Sequence, residues 1–213
     1  MHPMSQIARH TGGIAATNAY LISLPFGNVL VDAPEGVAEW LAEHGASVAA
    51  LWLTHQHFDH VMDVAAVKAA HGCPIYSWAP YSAELTLERL FGAVAGLSMS
   101  VPPFVVDHVL GGEPRLELAG VDCQLFHIPG HSPDSVCYFL PEHGLLFGGD
   151  VLFQGSIGRT DFPGGSFAQL TQGIRARLWL LGGATRVLPG HGPETTIGEE
   201  RASNPFVDQA ATE

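Results

Sequence analysis

The sequence predicts an α/β fold: an αββα sandwich of two mixed β-sheets with helices on the outer faces. Three observations lead there. Short apolar runs bounded by Gly, Pro or Asn recur through both halves of the chain. Helical stretches interrupt them without a clean βαβ alternation over the whole length. The order is also roughly doubled. A hairpin, a helix and a strand ending in a histidine cluster are followed by a run of strands, a helix and a strand ending in a histidine. So many apolar strands must cover one another, and two sheets face to face with helices outside do so.

Taken in order, Thr17 to Leu24 has strand composition, and Phe26-Gly27-Asn28 turns it into a second strand, Val29 to Asp32. Pro34 and Glu35 mark a helix start just after Asp32. That helix is expected to reach about His44, with Trp40 and Leu41 facing the core and Gly45 as its stop. Val48 to Leu53 reads as a buried strand. Val61, Val64, Ala65 and Lys68 recur at helical spacing and predict a helix from Val61 to Ala70, closed by His71-Gly72. Cys73 to Ser77 is a short strand, Glu84 to Ala95 a helix, and Gly96 to Pro103 a loop. From Val105 the chain is strands: Val105 to Val109, Arg115 to Leu118, Val121 to Ile128, Ser135 to Leu140 and Gly144 to Phe147. A helix over Phe167 to Leu181 and a strand at Arg186 to Leu188 complete the pattern.

The 213 residues are expected to form a single domain over 1–213, and a hydrophobic share of 46% supports a sizeable core. The formal net charge is −12 with nine Lys plus Arg, and no basic cluster is present, which argues against nucleic acid or an anionic membrane as partner. Three cysteines, Cys73, Cys123 and Cys137, are odd in number and form no Cys-x-x-Cys, as expected of reduced thiols used in packing. The N-terminus lacks a signal-peptide pattern, and the apolar runs are cut well short of a membrane span. A soluble, cytoplasmic protein is the expectation. No feature of the sequence sets an oligomeric state.

The chemistry concentrates in Thr54-His55-Gln56-His57-Phe58-Asp59-His60, directly after the Val48–Leu53 strand. Imidazoles supply neutral lone pairs for a metal, and carboxylates supply charge. His55 and His57 are two apart, so in extended chain they point the same way and can grip one ion from one side. Asp59 and His60 point elsewhere and can hold a second. Three more apolar strands end abruptly in a candidate ligand: His131 after Pro129-Gly130, Asp150 after Gly148-Gly149, and His191 after Pro189-Gly190. The glycines let the backbone turn sharply and approach closely. The other seven histidines have no such context, although His127 lies four residues before His131.

This pattern resembles the metallo-β-lactamase superfamily of αββα metallohydrolases over nearly the whole chain. The resemblance implies that His55, His57 and His131 bind one metal, that Asp59, His60 and His191 bind a second, and that Asp150 bridges the two. Aspartate at position 150 is atypical of the β-lactamases themselves and argues against antibiotic hydrolysis. Gly158-Arg159-Thr160-Asp161-Phe162, the run Pro189 to Arg201 and Asn204-Pro205-Phe206 are most similar to short glyoxalase II-like hydrolases. Only 22 residues follow His191, from 213 minus 191, so the family's added C-terminal helical domain is expected to be absent. Pro133-Asp134-Ser135 carries an acid where these families often carry glycine, and that acid is expected to influence which substrates enter.

The resemblance implies a dinuclear hydrolase of small-molecule thioesters such as S-lactoylglutathione, with a metal-bridging hydroxide as nucleophile. Zinc is the default metal of a His and carboxylate hydrolytic site, and iron and manganese accept similar ligands. Asp59 would orient the hydroxide and accept its proton. Arg159 would hold a substrate carboxylate bidentately, unless it pairs with Asp161 instead. Asn18 and Tyr20 would brace or line the site. Two alternatives remain: an iron persulfide dioxygenase using His55, His131 and Asp150, whose family shares the Gly-Arg-Thr-Asp piece, and a non-catalytic metal-binding module.

Overall fold

The structure, a computed structural model, describes residues 6–90, 100–112 and 114–207. Among these, the strand-forming runs assemble into two six-stranded sheets and one small hairpin. The first sheet takes β1 (Ile7–Gly12), β2 (Thr17–Leu24), β3 (Gly27–Val31), β4 (Ala50–Trp52), β5 (Ile75–Ser77) and β6 (His108–Val109) in chain order. β1 to β3 are antiparallel neighbours, and β3 to β6 run parallel. The second uses β7 (Arg115–Leu118), β8 (Val121–His127), β9 (Val136–Leu140), β10 (Leu145–Gly149), β13 (Arg186–Pro189) and β14 (Thr195–Thr196), with β10 and β13 parallel. β11 (Leu152–Phe153) and β12 (Ser156–Ile157) form the hairpin between β10 and β13 in the chain. Both main sheets are mixed.

Alternation along the strands sorts the side chains into three apolar layers. In β4, Trp52 faces the second sheet while Leu51 faces outward. Between the sheets, Trp52 stacks on Tyr138 with ring centroids 5.1 Å apart, among Ile22, Val31 and Phe147. Helices α1 (Val37–Glu43), α2 (Phe58–Val61) and α3 (Val64–His71) cover the outer face of the first sheet through Leu41, Val61, Val64 and Val67. Outside the second sheet, α4 (Phe167–Gly173) continues as a π-helical turn over Ile174–Leu178. With α5 (Ile197–Ser203) it buries Leu170, Ile174 and Ile197 against Leu146 and Val187. The sandwich expected from the sequence is the one observed.

Several local expectations are corrected. α1 starts at Val37, not at Asp32, because Asp32 takes a left-handed backbone (φ 60°) that no helix continues. Leu41 is fully buried as expected, whereas Trp40 lies half-buried beside His10 and His44. The helix expected over Val61 to Ala70 is two helices broken at Asp63, and the first begins inside the histidine motif at Phe58. The helix expected from Glu84 is interrupted by left-handed Leu87 (φ 56°); residues 91–99 lie outside the described ones. β1 was not foreseen, since its half-exposed edge carries only a weak apolar pattern. Nor was α5, although Thr196 and Glu199 form a capping box whose Thr-x-x-Glu spacing is readable.

The Tyr138 hydroxyl donates to the Leu53 carbonyl at 2.9 Å, across the sandwich and two residues before His55. Tyr138→Phe leaves that buried carbonyl without its partner, so a loss of about 1–3 kcal/mol is expected. Urea unfolding with an unchanged m-value checks it, and a change below about 0.5 kcal/mol would mean the bond contributes nothing net.

Candidate metal centre

The seven candidate ligands converge at one end of the sandwich, where strands of both sheets finish. His55 and His57 follow β4 in extended chain, and Asp59 and His60 occupy the first turn of α2. His131 comes from the turn after β8, Asp150 directly after β10, and His191 two residues after β13. Rigid strands thus aim side chains from distant parts of the sequence at one point. Two close approaches need glycine. A Cβ on Gly190 would lie 2.2 Å from Asp150 Oδ1 and 2.6 Å from His60 Cε1. Gly130 (φ 132°) presses against the backbone of Ser166 and Leu170 at the start of α4.

The donor atoms fall into overlapping groups able to hold metal: His55, His57 and His131; Asp59, His60 and His191; and His55, His60 and Asp150. Asp150 lies at the junction. Its Oδ1 is 3.3 Å from His60 Nε2, and its Oδ2 is 3.4 Å from His131 Nε2 and 3.3 Å from His191 Nε2. His60 Nε2 and Asp150 Oδ1 are buried and make no hydrogen bond. Buried polar atoms are rarely left so, and two facing donor-type atoms in this state suit a cation placed between them.

Nδ1 is anchored in His55, His60, His131 and His191, which sets the direction of those imidazoles. His60 Nδ1 lies 2.8 Å from Asp32 Oδ2, His131 Nδ1 2.8 Å from the Arg159 carbonyl, and His191 Nδ1 3.2 Å from the Ala15 carbonyl. Asp32 also accepts from the Thr54 amide and hydroxyl at 2.8 Å each, and the Thr54 hydroxyl lies 3.1 Å from His55 Nδ1. Asp59 Oδ2 accepts from the Thr17 hydroxyl at 2.7 Å. Asn18 and Tyr20 donate to the Pro189 carbonyl, so they brace the His191 turn and do not line the cavity. Asp32, Thr17 and Thr54 were not singled out from the sequence; an aspartate at a strand end before a histidine motif was the available signal.

Burial, and then neighbouring imidazoles, hold His55 and His57 below the ordinary histidine value, His57 at about 3, so both offer neutral lone pairs. Burial opposes charge on His60 and His191 too, but the surrounding carboxylates outweigh it and raise both, His191 to about 10. Burial likewise opposes ionisation of Asp59, yet the His60 and His191 partners bring it down to about 2. A divalent cation among these carboxylates would take the place of a proton on His60 and His191.

Above these residues lies a cavity of about 210 Å³, bounded also by Ala15, Phe58, Arg159 and Phe162. The Arg159 guanidinium lies over the Phe162 ring at 3.9 Å and donates through Nε and Nη2 to Asp161, each at 2.7 Å. It reaches the cavity, but with its fork already engaged. Asp134 does not: it is 2% exposed, accepts from the Ser132 hydroxyl, and burial raises its carboxyl to about 6. The acid expected to influence which substrates enter is thus buried and outside the cavity lining. His127 stacks on Trp78 and bonds the Pro133 carbonyl.

The tail motif finds its place as a staple. Buried Glu200 accepts from the Gly155 amide and the Thr195 hydroxyl, and Asn204 donates to the Ser156 carbonyl. Helix α5 thereby fixes the β11–β12 hairpin, which leads into the Arg159 carbonyl behind His131.

With this geometry, the family model of the metallo-beta-lactamase superfamily matches residues 12–191, and the chain belongs to that superfamily. Three of the proteins it is similar to are as follows. It is 35% identical over 189 residues to the hydroxyacylglutathione hydrolase GloC of Haemophilus influenzae, covering 85% of this chain and 88% of that one. It matches the crystal structure of BLEG-1, a B3 metallo-beta-lactamase, with a TM-score of 0.83, 34% identity and coverage of 95% and 99%. It matches TTHA1623, solved in a di-iron-bound form, with a TM-score of 0.80, 39% identity and coverage of 93% and 99%. Among the described residues no helix is long and apolar enough to cross a membrane.

Asp32→Asn removes the charge behind His60 while keeping its volume. A 10- to 100-fold loss of metal affinity, as is typical when such a supporting partner is lost, is the expected result of titrating the apo-protein in competition with a chromophoric chelator. Unchanged affinity would mean that Asp32 serves only the backbone turn.

Proposed function

We propose that this chain is a dinuclear metal-dependent hydrolase of thioesters, S-lactoylglutathione among them. The observation that carries this reading is Asp150, reaching both three-residue groups, with its unbonded Oδ1 facing the unbonded His60 Nε2. His55, His57 and His131 would hold one ion, Asp59, His60 and His191 the other, and Asp150 both. The likeness to the hydroxyacylglutathione hydrolase GloC supports the thioester.

Bound divalent ions supply Lewis acidity for a carbonyl oxygen and lower the pKa of water toward about 7. The chain's own residues do the rest. Asp59 lines the cavity, where its carboxylate would orient the attacking water and accept its proton. The thiolate leaving group has a pKa near about 8.5 and needs no strong acid. Cys73, Cys123 and Cys137 are buried in the apolar layers, so none serves as a nucleophile. Zinc is the proposed metal; iron and manganese suit the same donors.

The test is metal content by elemental mass spectrometry on protein purified without chelator or added metal, followed by a thioester panel. About two equivalents per chain and turnover of S-lactoylglutathione are expected, with His57→Ala losing metal and activity together. One equivalent of iron, with oxygen uptake on glutathione persulfide, would select a dioxygenase instead. The likeness to BLEG-1 favours a second reading, β-lactam hydrolysis, and preferential turnover of a chromogenic cephalosporin would select it.

Arg159 is proposed to take a substrate carboxylate by exchanging it for Asp161. Arg159→Ala then raises KM for an anionic thioester more than for a neutral one. Equal effects on both would leave the Asp161 pair as a structural contact only.

A further inference from the structure

A second cavity, of about 250 Å³, opens on the other side of His57. His57 lines both, and Phe162 of the first is the chain neighbour of Pro163 of the second. A substrate whose carbonyl lies over the metal centre therefore has space to extend past His57.

This second cavity has a built wall. Gln56, fully buried between His55 and His57, donates to the carbonyls of Ala79 and Pro80 and accepts from the Ser82 amide at 3.1 Å. The Phe58 amide donates to the Thr86 carbonyl at 2.9 Å. The segment over 79–87 is thus bolted to the histidine motif. It ends in Leu87, buried in a left-handed conformation that costs a leucine about 1–2 kcal/mol. Strain of this kind persists only where the surroundings over-determine it, and it concentrates at binding sites.

The lining chemistry is specific. Leu85, Leu87, Pro133 and Pro163 give apolar walls, and the exposed Glu84 is the charged side chain among the lining residues. On the opposite side of the centre, a niche of about 60 Å³ between Ile14, Phe58 and Met62 also carries an acid, Glu35. The cation of the central cavity, Arg159, is forked onto Asp161.

We propose that the cavity beyond His57 binds an aliphatic arm of the substrate that ends in a cation, such as an ammonium group, with Glu84 as the specificity-determining residue. This rests on the thioester reading above and adds a preference within it; the arm of a glutathione thioester carries an ammonium beside its carboxylates, so S-lactoylglutathione remains within the class. Apolar walls take the methylenes, and the carboxylate favours a positive end and disfavours a negative one. An exposed carboxylate is worth up to about fivefold in such a preference, and salt weakens it.

The test uses metal-loaded enzyme and one acyl group carried on three thiols: thiocholine (cationic), N-acetylcysteamine (neutral) and 3-mercaptopropionate (anionic). The quantity read is the cationic-to-neutral ratio of kcat/KM in the wild type divided by the same ratio in Glu84→Gln, in which the differing acidity of the thiols cancels; it is expected to be about five at low salt and to fall as salt rises. Glu84→Gln should lower the wild-type ratio about fivefold, and Glu35→Gln should leave it in place. A ratio unchanged by Glu84→Gln, or removed by Glu35→Gln alone, overturns the assignment. Binding of the free thiols by calorimetry decides the point without turnover. If no thioester is hydrolysed, the proposed activity fails. A thiocholine preference lost in Glu84→Gln still supports the cavity assignment, and its absence or persistence overturns it.

Discussion

The carboxylate of Asp150 lies where both sheets end, with imidazole nitrogens of His60, His131 and His191 within 3.4 Å. A buried carboxylate is costly unless it is paired or coordinated. The residues that answer its charge come from α2, the turn after β8 and the turn after β13. None of these is near it in sequence. The close passage of Gly190 and the bracing of the His191 turn by Asn18 and Tyr20 all serve to bring those groups within reach. The centre therefore depends on the pairing of the two sheets, and not on either alone.

Asp32 plays the matching part in the first sheet. By leaving the strand in a left-handed conformation it turns its carboxylate onto the Thr54 amide, the Thr54 hydroxyl and His60 Nδ1 at once. One side chain thus fixes the end of β4, the entry into the histidine motif and the direction of an imidazole. Second partners of this kind orient metal ligands and tune their basicity. The cavity beyond His57 belongs to the same construction, since Gln56 inside the motif ties down the segment that walls it.

Much of this was legible in the sequence, and the boundary is physical. Seven candidate ligands could be read because they cluster after four apolar strands, and the structure brings all seven together. The sandwich could be read from alternating apolar runs. Their supports were not legible, because several are backbone carbonyls, such as those of Ala15 and Arg159, which carry no residue signature. Asp32 looked like a helix start because Pro34 and Glu35 follow it; only its tertiary bonds reveal the other conformation. Asp134 was expected to influence substrate entry because it is charged and close in sequence, but its burial is a matter of packing. Helix α5 could have been found from Thr196 and Glu199, a signal of purely local origin.

The placement of β13 bears on how such a molecule is made. It pairs in parallel with β10, although 36 residues separate Gly149 from Arg186. While a nascent chain is still emerging, β10 has its antiparallel partner β9 but lacks β13, so one side of an apolar strand holds open backbone groups. The chain then delivers strand, histidine and staple together, since β13, His191 and α5 follow one another closely. Closure of the vulnerable edge and completion of the candidate ligand set are one event, so any metal bound by the full set would be held only after synthesis has passed this segment.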